Sequence, residues 1–199
     1  DDVDVSNNIV HKEPIFLFES KELFAKNQYA LNLRKKNNVH FTVINKEEIA
    51  KIEPHLESVY YNGVVLKGES FTRSPLEMTQ KIFNNFIKND GHFVKTKINS
   101  IFKNNLSLFL KINHKEEQYD KIVIAAGAWS NVLARTIGDN FSLDTERGYN
   151  VVFENNSNLL THPVGWAKTG FYLTPMKDGI RAAGTVEIAG LRKPMNKNM

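Results

Sequence analysis

A continuously apolar run stands out in the second half of the chain, residues 122–130, Ile-Val-Ile-Ala-Ala-Gly-Ala-Trp-Ser. Three β-branched residues followed by two alanines predict a strand buried on both faces. Gly127 ends it, and a helix is predicted at once, with Trp129, Val132, Leu133 and Ile137 on one face. A buried strand that breaks at glycine into a helix is one way α/β proteins bring backbone N–H groups up to a cofactor. The same pattern also ends core strands for turn geometry alone.

The rest of the pattern runs as follows. Residues 1–13 are polar and expected to be loosely ordered. A short apolar strand at 15–18 leads to Ser20, which caps a helix reaching about Lys36 with Leu23, Phe24 and Leu31 inward. Residues 41–44 form another strand. Asn45 and Glu48 make a capping box for a two-turn helix that buries Ile49 and Ile52 and stops at Pro54. Residues 59–66 are strand-like, interrupted at Asn62-Gly63 by a turn or bulge. Ser74 caps the next helix, with Pro75 in its first position and Glu77 completing a capping box. Thr79, Ile82, Phe83, Phe86 and Ile87 make its inward face, and Gly91 supplies a left-handed exit.

A strand over 92–101, a turn at Asn104-Asn105 and the alternation of Leu106, Leu108, Leu110 and Ile112 predict a meander. After a turn over 113–117, the chain enters a strand at 119–126, which contains the apolar run. Residues 146–149 lead into a strand at 150–153, and 154–165 form a polar connection. A hairpin follows, with strands at 170–175 and 180–187 around Lys177-Asp178-Gly179. The strands of 15–66 and of the C-terminal part belong to one antiparallel sheet. The fold class is α/β, mixed with α+β. This order of elements suits either a two-dinucleotide-fold flavoprotein or another α+β domain.

Composition narrows this little. The chain has 199 residues, 41% of them hydrophobic and 24% charged, enough for one large domain or two small ones. It has no cysteine, which excludes disulfides, thiolate metal sites and a cysteine nucleophile. No apolar run approaches a membrane span, and no signal peptide is visible. The net charge of +4 comes from lysines dispersed among asparagines and glutamates, so no nucleic-acid partner is expected. The six histidines stand singly, without ligand spacing, so no metal is expected. Because the sequence opens on Asp1-Asp2 and closes on Lys197-Asn198-Met199 soon after a strand, both ends are expected to be cut.

Four stretches together carry a resemblance: Ile124-Ala-Ala-Gly-Ala-Trp-Ser130, Leu143-Asp-Thr-Glu-Arg-Gly-Tyr149, Tyr172-Leu-Thr-Pro-Met-Lys-Asp-Gly179 and Arg181-Ala-Ala-Gly-Thr-Val-Glu-Ile-Ala-Gly190. In content, order and spacing the chain resembles the FAD-dependent D-amino-acid oxidase and glycine oxidase superfamily, and within it the D-amino-acid dehydrogenase branch. The family's Gly-x-Gly-x-x-Gly turn and its C-terminal flavin segment with a carboxylate-binding arginine have no counterpart here. The resemblance therefore implies a middle fragment, a partial two-dinucleotide-fold FAD domain plus an antiparallel-sheet substrate domain. Residues 1–70 and 141–199 would form the substrate domain, and 71–140 the inner part of the FAD domain.

The implied activity is oxidative deamination of a D-amino acid, by hydride transfer from Cα to flavin N5. The flavin does the redox work, so no catalytic side chain is expected. Tyr172 is implied as the hydroxyl that meets the substrate carboxylate; otherwise it is a half-buried strand tyrosine. Tyr149 and Arg147 are implied as further substrate-binding residues, Arg147 being better suited to a salt bridge with Glu146 or Asp144. For FAD, Ala126, Gly127 and Ala128 are the small residues beside the cofactor, and the backbone at Ile98 meets the adenine. Trp129 suits helix-face core better than flavin stacking. Other readings remain open: a glycine or sarcosine oxidase-like amine oxidase, or a non-catalytic truncated module that folds with weak or absent FAD binding. The expected partners are a small amino-acid substrate and an electron acceptor, without a transmembrane segment. The expected location is cytoplasmic, including the inner membrane face.

Overall fold

In a computed structural model, residues 3–56, 59–105 and 107–198 are described. The chain divides into two compact units, 1–90 with 148–185, and 91–147 with 186–199.

The first unit begins with a short pair rather than a loose end: β1 (Ile9–Val10) lies antiparallel to a later strand at Phe71–Thr72. Next come β2 (Ile15–Phe18), α1 (Lys21–Lys26) and α2 (Gln28–Lys36). Ser20 Oγ accepts from the Leu23 N–H at 3.2 Å, as its position predicts, and a break at Asn27 divides the predicted helix into two. Strand β3 (Phe41–Asn45) runs directly into α3 (Lys46–Ile52) through the predicted capping box. Glu48 N–H donates to Asn45 Oδ1 at 2.9 Å, and Asn45 N–H to Glu48 Oε2 at 2.7 Å.

Strand β4 (Asn62–Leu66) follows, then β5 (Phe71–Thr72) and α4 (Pro75–Lys88). Asn62 and Gly63 make no turn; they are paired on both sides, Gly63 opposite Leu17 and Ile44. The glycine serves packing instead, because a Cβ there would stand 3.2 Å from Ile49 Cδ1 and 3.3 Å from Ile15 Cγ2. Helix α4 keeps its Ser74 cap, but Glu77 turns its carboxylate to Lys177 and leaves the capping box half made. Its predicted inward face is not covered: Ile82, Phe83, Phe86 and Ile87 are half exposed and Thr79 is exposed. Asp90, at φ 60°, makes the left-handed exit expected of Gly91.

In the second unit, β6 (Ile98–Asn104) and β7 (Ser107–Ile112) pair as predicted, and a third strand, β8 (Lys115–Tyr119), stands where a turn over 113–117 is expected. Asn105 and Asn113, at φ 53° and 55°, sit in the two hairpin turns of this meander. Leu106, predicted to open the second strand, lies outside the described residues. Residues 91–97 carry no strand, so the strand predicted from 92 begins at Ile98. The strand predicted to end at Ala126 also differs. Residues 121–126 carry no regular structure and pair with no strand among the described residues, and Val123 is 88% exposed. A strand buried on both faces needs neighbours on both edges, and the meander supplies none. A 3-10 turn at Gly127–Trp129 leads to α5 (Ser130–Ala134), which buries Asn131 and Ala134. Trp129, Val132 and Ile137, predicted inward, are exposed. Thr136 anchors this turn of chain by donating to the Ile101 carbonyl and accepting from the Ile101 N–H, each at 2.9 Å.

Strands β9 (Glu146–Glu154), β10 (Val164–Trp166), β11 (Tyr172–Met176) and β12 (Gly179–Ile188) complete the main sheet. Its order is β3-β4-β2-β10-β11-β12-β9, joining the early and late strands in one seven-stranded sheet as predicted. The pair at its centre departs from the antiparallel pattern: β2 and β10 run parallel, with Ile15, Phe16 and Leu17 opposite Val164, Gly165 and Trp166. Alternation along β2 sends Ile15 and Leu17 into a core with Ile49, Val65, Val164 and Ile180. Phe18 turns to the opposite face with Val64 and Leu31, where Phe16, Leu23 and Phe24 pack. Full burial of one such aliphatic side chain stabilises by about 1.5–3 kcal/mol.

The buried carboxylate of Glu53, just after α3, holds the junction of the two halves. It is 1% exposed and accepts from the Thr161 N–H at 3.0 Å, the Thr161 hydroxyl at 2.7 Å and the His162 N–H at 2.7 Å. The His162 ring nitrogen Nδ1 is 2.6 Å from the same oxygen. Burial opposes ionisation, but the hydrogen bonds from His162 and Thr161 outweigh it and hold the Glu53 carboxyl below its ordinary 4.5. The stabilisation is therefore complete above that ordinary value and is lost as pH falls through the depressed one. Glu53→Gln should lower stability at pH 7 by about 2 kcal/mol in urea unfolding. It should also flatten the acid limb of the stability profile; an unchanged limb would show that another carboxylate dominates it.

Candidate active site

The predicted substrate tyrosine lies at the edge of an open cavity of about 210 Å³. Phe16 and Phe18 of β2, Leu31 of α2, Val64 and Leu66 of β4 and Trp166 of β10 give it apolar walls. Tyr172, first residue of β11, faces Gly165 across the strand pair, and its ring occupies the space a side chain at Gly165 would need. A Cβ there would stand 2.6 Å from the Tyr172 ring, so the glycine lets the ring lie flat along the sheet. Phe16, on the far side of Gly165, meets that ring edge-on with centroids 5.4 Å apart.

Arg34, on α2, lines the same cavity. Its guanidinium carbon stands 5.9 Å from the centroid of the Phe16 ring, within cation–π reach. Among the described residues no carboxylate lies within salt-bridge distance of it, and the Tyr172 hydroxyl makes no hydrogen bond. Burial pushes the Tyr172 phenol above its ordinary value, and the positive charge of Arg34 partly offsets this. A tyrosine and an arginine thus line one apolar-walled space, a pair of side chains able to hold a carboxylate. Arg34 did not figure in the sequence reading. Its signal was its place three residues after Leu31, on the helix face that packs inward.

Tyr149 lies on β9, two strands from β11 in the sheet, half-buried and outside the lining of this cavity. Arg147 pairs with Glu187 at 3.4 Å, rather than with Glu146 or Asp144. It also donates to the carbonyls of Lys193 at 2.6 Å and Pro194 at 3.0 Å, while Lys193 Nζ reaches Glu187 at 2.8 Å. The guanidinium therefore ties the start of β9 to residues 193–194.

The residues expected beside FAD fall in the second unit. Ile98 opens β6 opposite Ile112 and is half-buried. Ala126 immediately precedes the 3-10 turn, and its carbonyl accepts from the Trp129 N–H at 3.1 Å. Gly127 has φ 53°, a conformation that a side chain disfavours, and no atom lies within 4 Å of where its Cβ would be. The glycine is thus explained by backbone conformation, with open space beside it. Small side chains at 126 and 128, an open glycine and a segment without strand partners among the described residues fit one wall of a flavin nucleotide site, supplied by backbone. Trp129 is 61% exposed beside them.

Residues 12–197 match the family described as DAO, FAD dependent oxidoreductase. Over 171 residues the chain is 32% identical to a D-amino-acid oxidase of Bradyrhizobium diazoefficiens, covering 85% of this chain and 41% of that protein. Its fold is similar to that of glycine oxidase from Geobacillus kaustophilus, with a TM-score of 0.79 at 18% identity over 96% of this chain and 52% of the other. It is also similar to L-alpha-glycerophosphate oxidase from Mycoplasma pneumoniae, solved in a reduced state with FAD bound. There the TM-score is 0.80 at 18% identity, over 96% of this chain and 54% of the other. The chain thus spans 41% of the curated relative and about half of each solved one.

The arrangement around Tyr172 sets a measurable titration. Its phenol should ionise above the ordinary 10.0. Arg34→Ala should raise the midpoint further, because the variant removes the charge that favours phenolate. Phenolate absorbance against pH, with Tyr172→Phe to assign the step, measures this. A midpoint that falls or stays fixed in Arg34→Ala would separate the two side chains.

Proposed function

The chain belongs to the FAD dependent oxidoreductase family, and on that footing we propose that it carries the substrate sheet of an enzyme that oxidatively deaminates D-amino acids. The observation that carries this reading is the apolar-walled cavity that Tyr172 and Arg34 line together. The 32% identity to a D-amino-acid oxidase supports the amino-acid substrate.

In this reading the Tyr172 hydroxyl donates to one carboxylate oxygen of the substrate and Arg34 neutralises the charge. Phe16, Phe18 and Trp166 take the apolar part of the amino acid and keep water from it. FAD, when bound, supplies the acceptor for the hydride leaving Cα. Ala126, Gly127 and Ala128, with the backbone at Ile98, give the cofactor one wall. Tyr149 and Arg147 are outer positions on the substrate side, and Arg147 would have to exchange its present partners to meet an anion. A separate electron acceptor and a cytoplasmic place, including the inner membrane face, belong to the same proposal. No helix among the described residues is long and apolar enough to cross a membrane.

The test uses the enzyme that contains this chain, loaded with FAD, and D-alanine-dependent reduction of an artificial dye. Tyr172→Phe and Arg34→Ala should each raise KM about tenfold, the worth of one charged hydrogen bond, with kcat little changed. An unchanged KM in both variants removes the cavity from the substrate site. Turnover of glycine or sarcosine, without that of any D-amino acid, would transfer the chain to the amine oxidases.

A further inference from the structure

A second cavity, of about 350 Å³, takes no part in this chemistry. It lies wholly in the first unit, on the face of the main sheet that packs against α3. The buried core residues Ile15, Ile44 and Val65 line its apolar side, with Ile52 of α3 beside them. An adjoining hollow shares Lys12, Glu13 and His162 with it.

His162 brings an uncommitted ring nitrogen to this cavity. Its Nδ1 is 2.6 Å from Glu53 Oε1, and an ionised carboxylate can only accept. The Thr161 hydroxyl, 2.9 Å from the same nitrogen, gives its own hydrogen to Glu53 at 2.7 Å. Nδ1 must therefore donate, which fixes the tautomer of the neutral imidazole and leaves Nε2 a bare acceptor. Among the described residues Nε2 has no hydrogen-bond partner. It is not sealed either: the His162 side chain is 15% exposed and lines the cavity.

The charged groups facing the cavity are Lys12, Lys67 and Glu13, with Glu53 behind His162 and Glu69 and His11 in the adjoining hollow. Lys67 and Glu13 pair at 2.9 Å. An occupant must bring a donor to Nε2 and an apolar body to the isoleucines. A carboxylate brings no donor, and an ammonium group is repelled by Lys12 and Lys67. Water brings the donor without the apolar contact. A neutral molecule with one hydroxyl on an apolar body meets both demands, and a rigid ring loses the least freedom on binding. We propose that this cavity binds a small neutral phenol, its O–H donating to His162 Nε2 and its ring lying against Ile44 and Ile52.

The test titrates the 199-residue chain, labelled with nitrogen-15 in its histidines, with p-cresol at about pH 8, above the ordinary histidine range. Nitrogen resonances should show His162 protonated on Nδ1 and bare at Nε2. Added p-cresol should move the Nε2 resonance saturably, with millimolar affinity. The analogue 4-methylanisole, which keeps the body and lacks the O–H, should bind about tenfold more weakly, the worth of one hydrogen bond. Lys12→Ala, an exposed position, should fold as the parent does and keep the affinity for a neutral ligand. A proton on Nε2 in place of Nδ1, or no saturable shift there, overturns the proposal. So does equal binding of 4-methylanisole, or loss of p-cresol binding in a folded Lys12→Ala.

Discussion

The carboxylate of Glu53 reaches across 108 positions of sequence to hold Thr161, and the main sheet depends on that contact. The early strands of the sheet form one group, β3-β4-β2, and the late strands another, β10-β11-β12-β9. They meet only where β2 lies parallel to β10, a strand of three residues. Three residues make few ladder bonds, and closing so long a loop carries a large entropic cost. Glu53 fixes Thr161 and His162 immediately before β10, and the Ile15 N–H donates to the Pro163 carbonyl at 2.9 Å. The strand therefore arrives beside β2 with its register already set, and Val164 closes the core behind it.

The candidate site follows from that register. With Gly165 opposite Phe16 on one side and Tyr172 on the other, three consecutive strands place a ring, a gap and a ring along one face. The gap lets the Tyr172 ring lie over Gly165 and meet Phe16 edge-on. Helix α2 packs on the same face through Leu31, which brings Arg34 above the Phe16 ring. A slip of β10 by one residue would put Val164 in place of Gly165 and drive the tyrosine from this position.

Local features of this structure were legible in the sequence. The Asn45–Glu48 box, the Ser20 and Ser74 caps and the hairpin turns at Asn105, Asn113 and Lys177-Asp178 depend on residues a few positions apart. Distant partners were not legible. Nothing near Glu53 in sequence announces Thr161 and His162, and nothing near β2 announces a parallel neighbour. Apolar pattern shows which face a segment can bury, not what covers it; hence the half-exposed face of α4 and the unpaired residues 121–126. At the site, the position of Tyr172 was marked by resemblance and by its strand. Arg34 was hidden among the cations of a helix whose last turn holds Arg34, Lys35 and Lys36. Strand β1 was hidden in an N-terminal stretch that reads as loose, because its partner β5 lies far along the chain, at Phe71–Thr72.

Amide hydrogen exchange, residue by residue, in the parent chain and in Glu53→Gln tests most directly whether one carboxylate sets the sheet junction. In the parent, the amides of Ile15, Thr161, His162 and Ala167, which bond across or beside the junction, should exchange slowly. In Glu53→Gln they should lose protection together, while the β3–β4 ladder keeps its own. Full protection of the Ile15 and Ala167 amides in the variant would contradict the account, since β10 would then hold its place without Glu53.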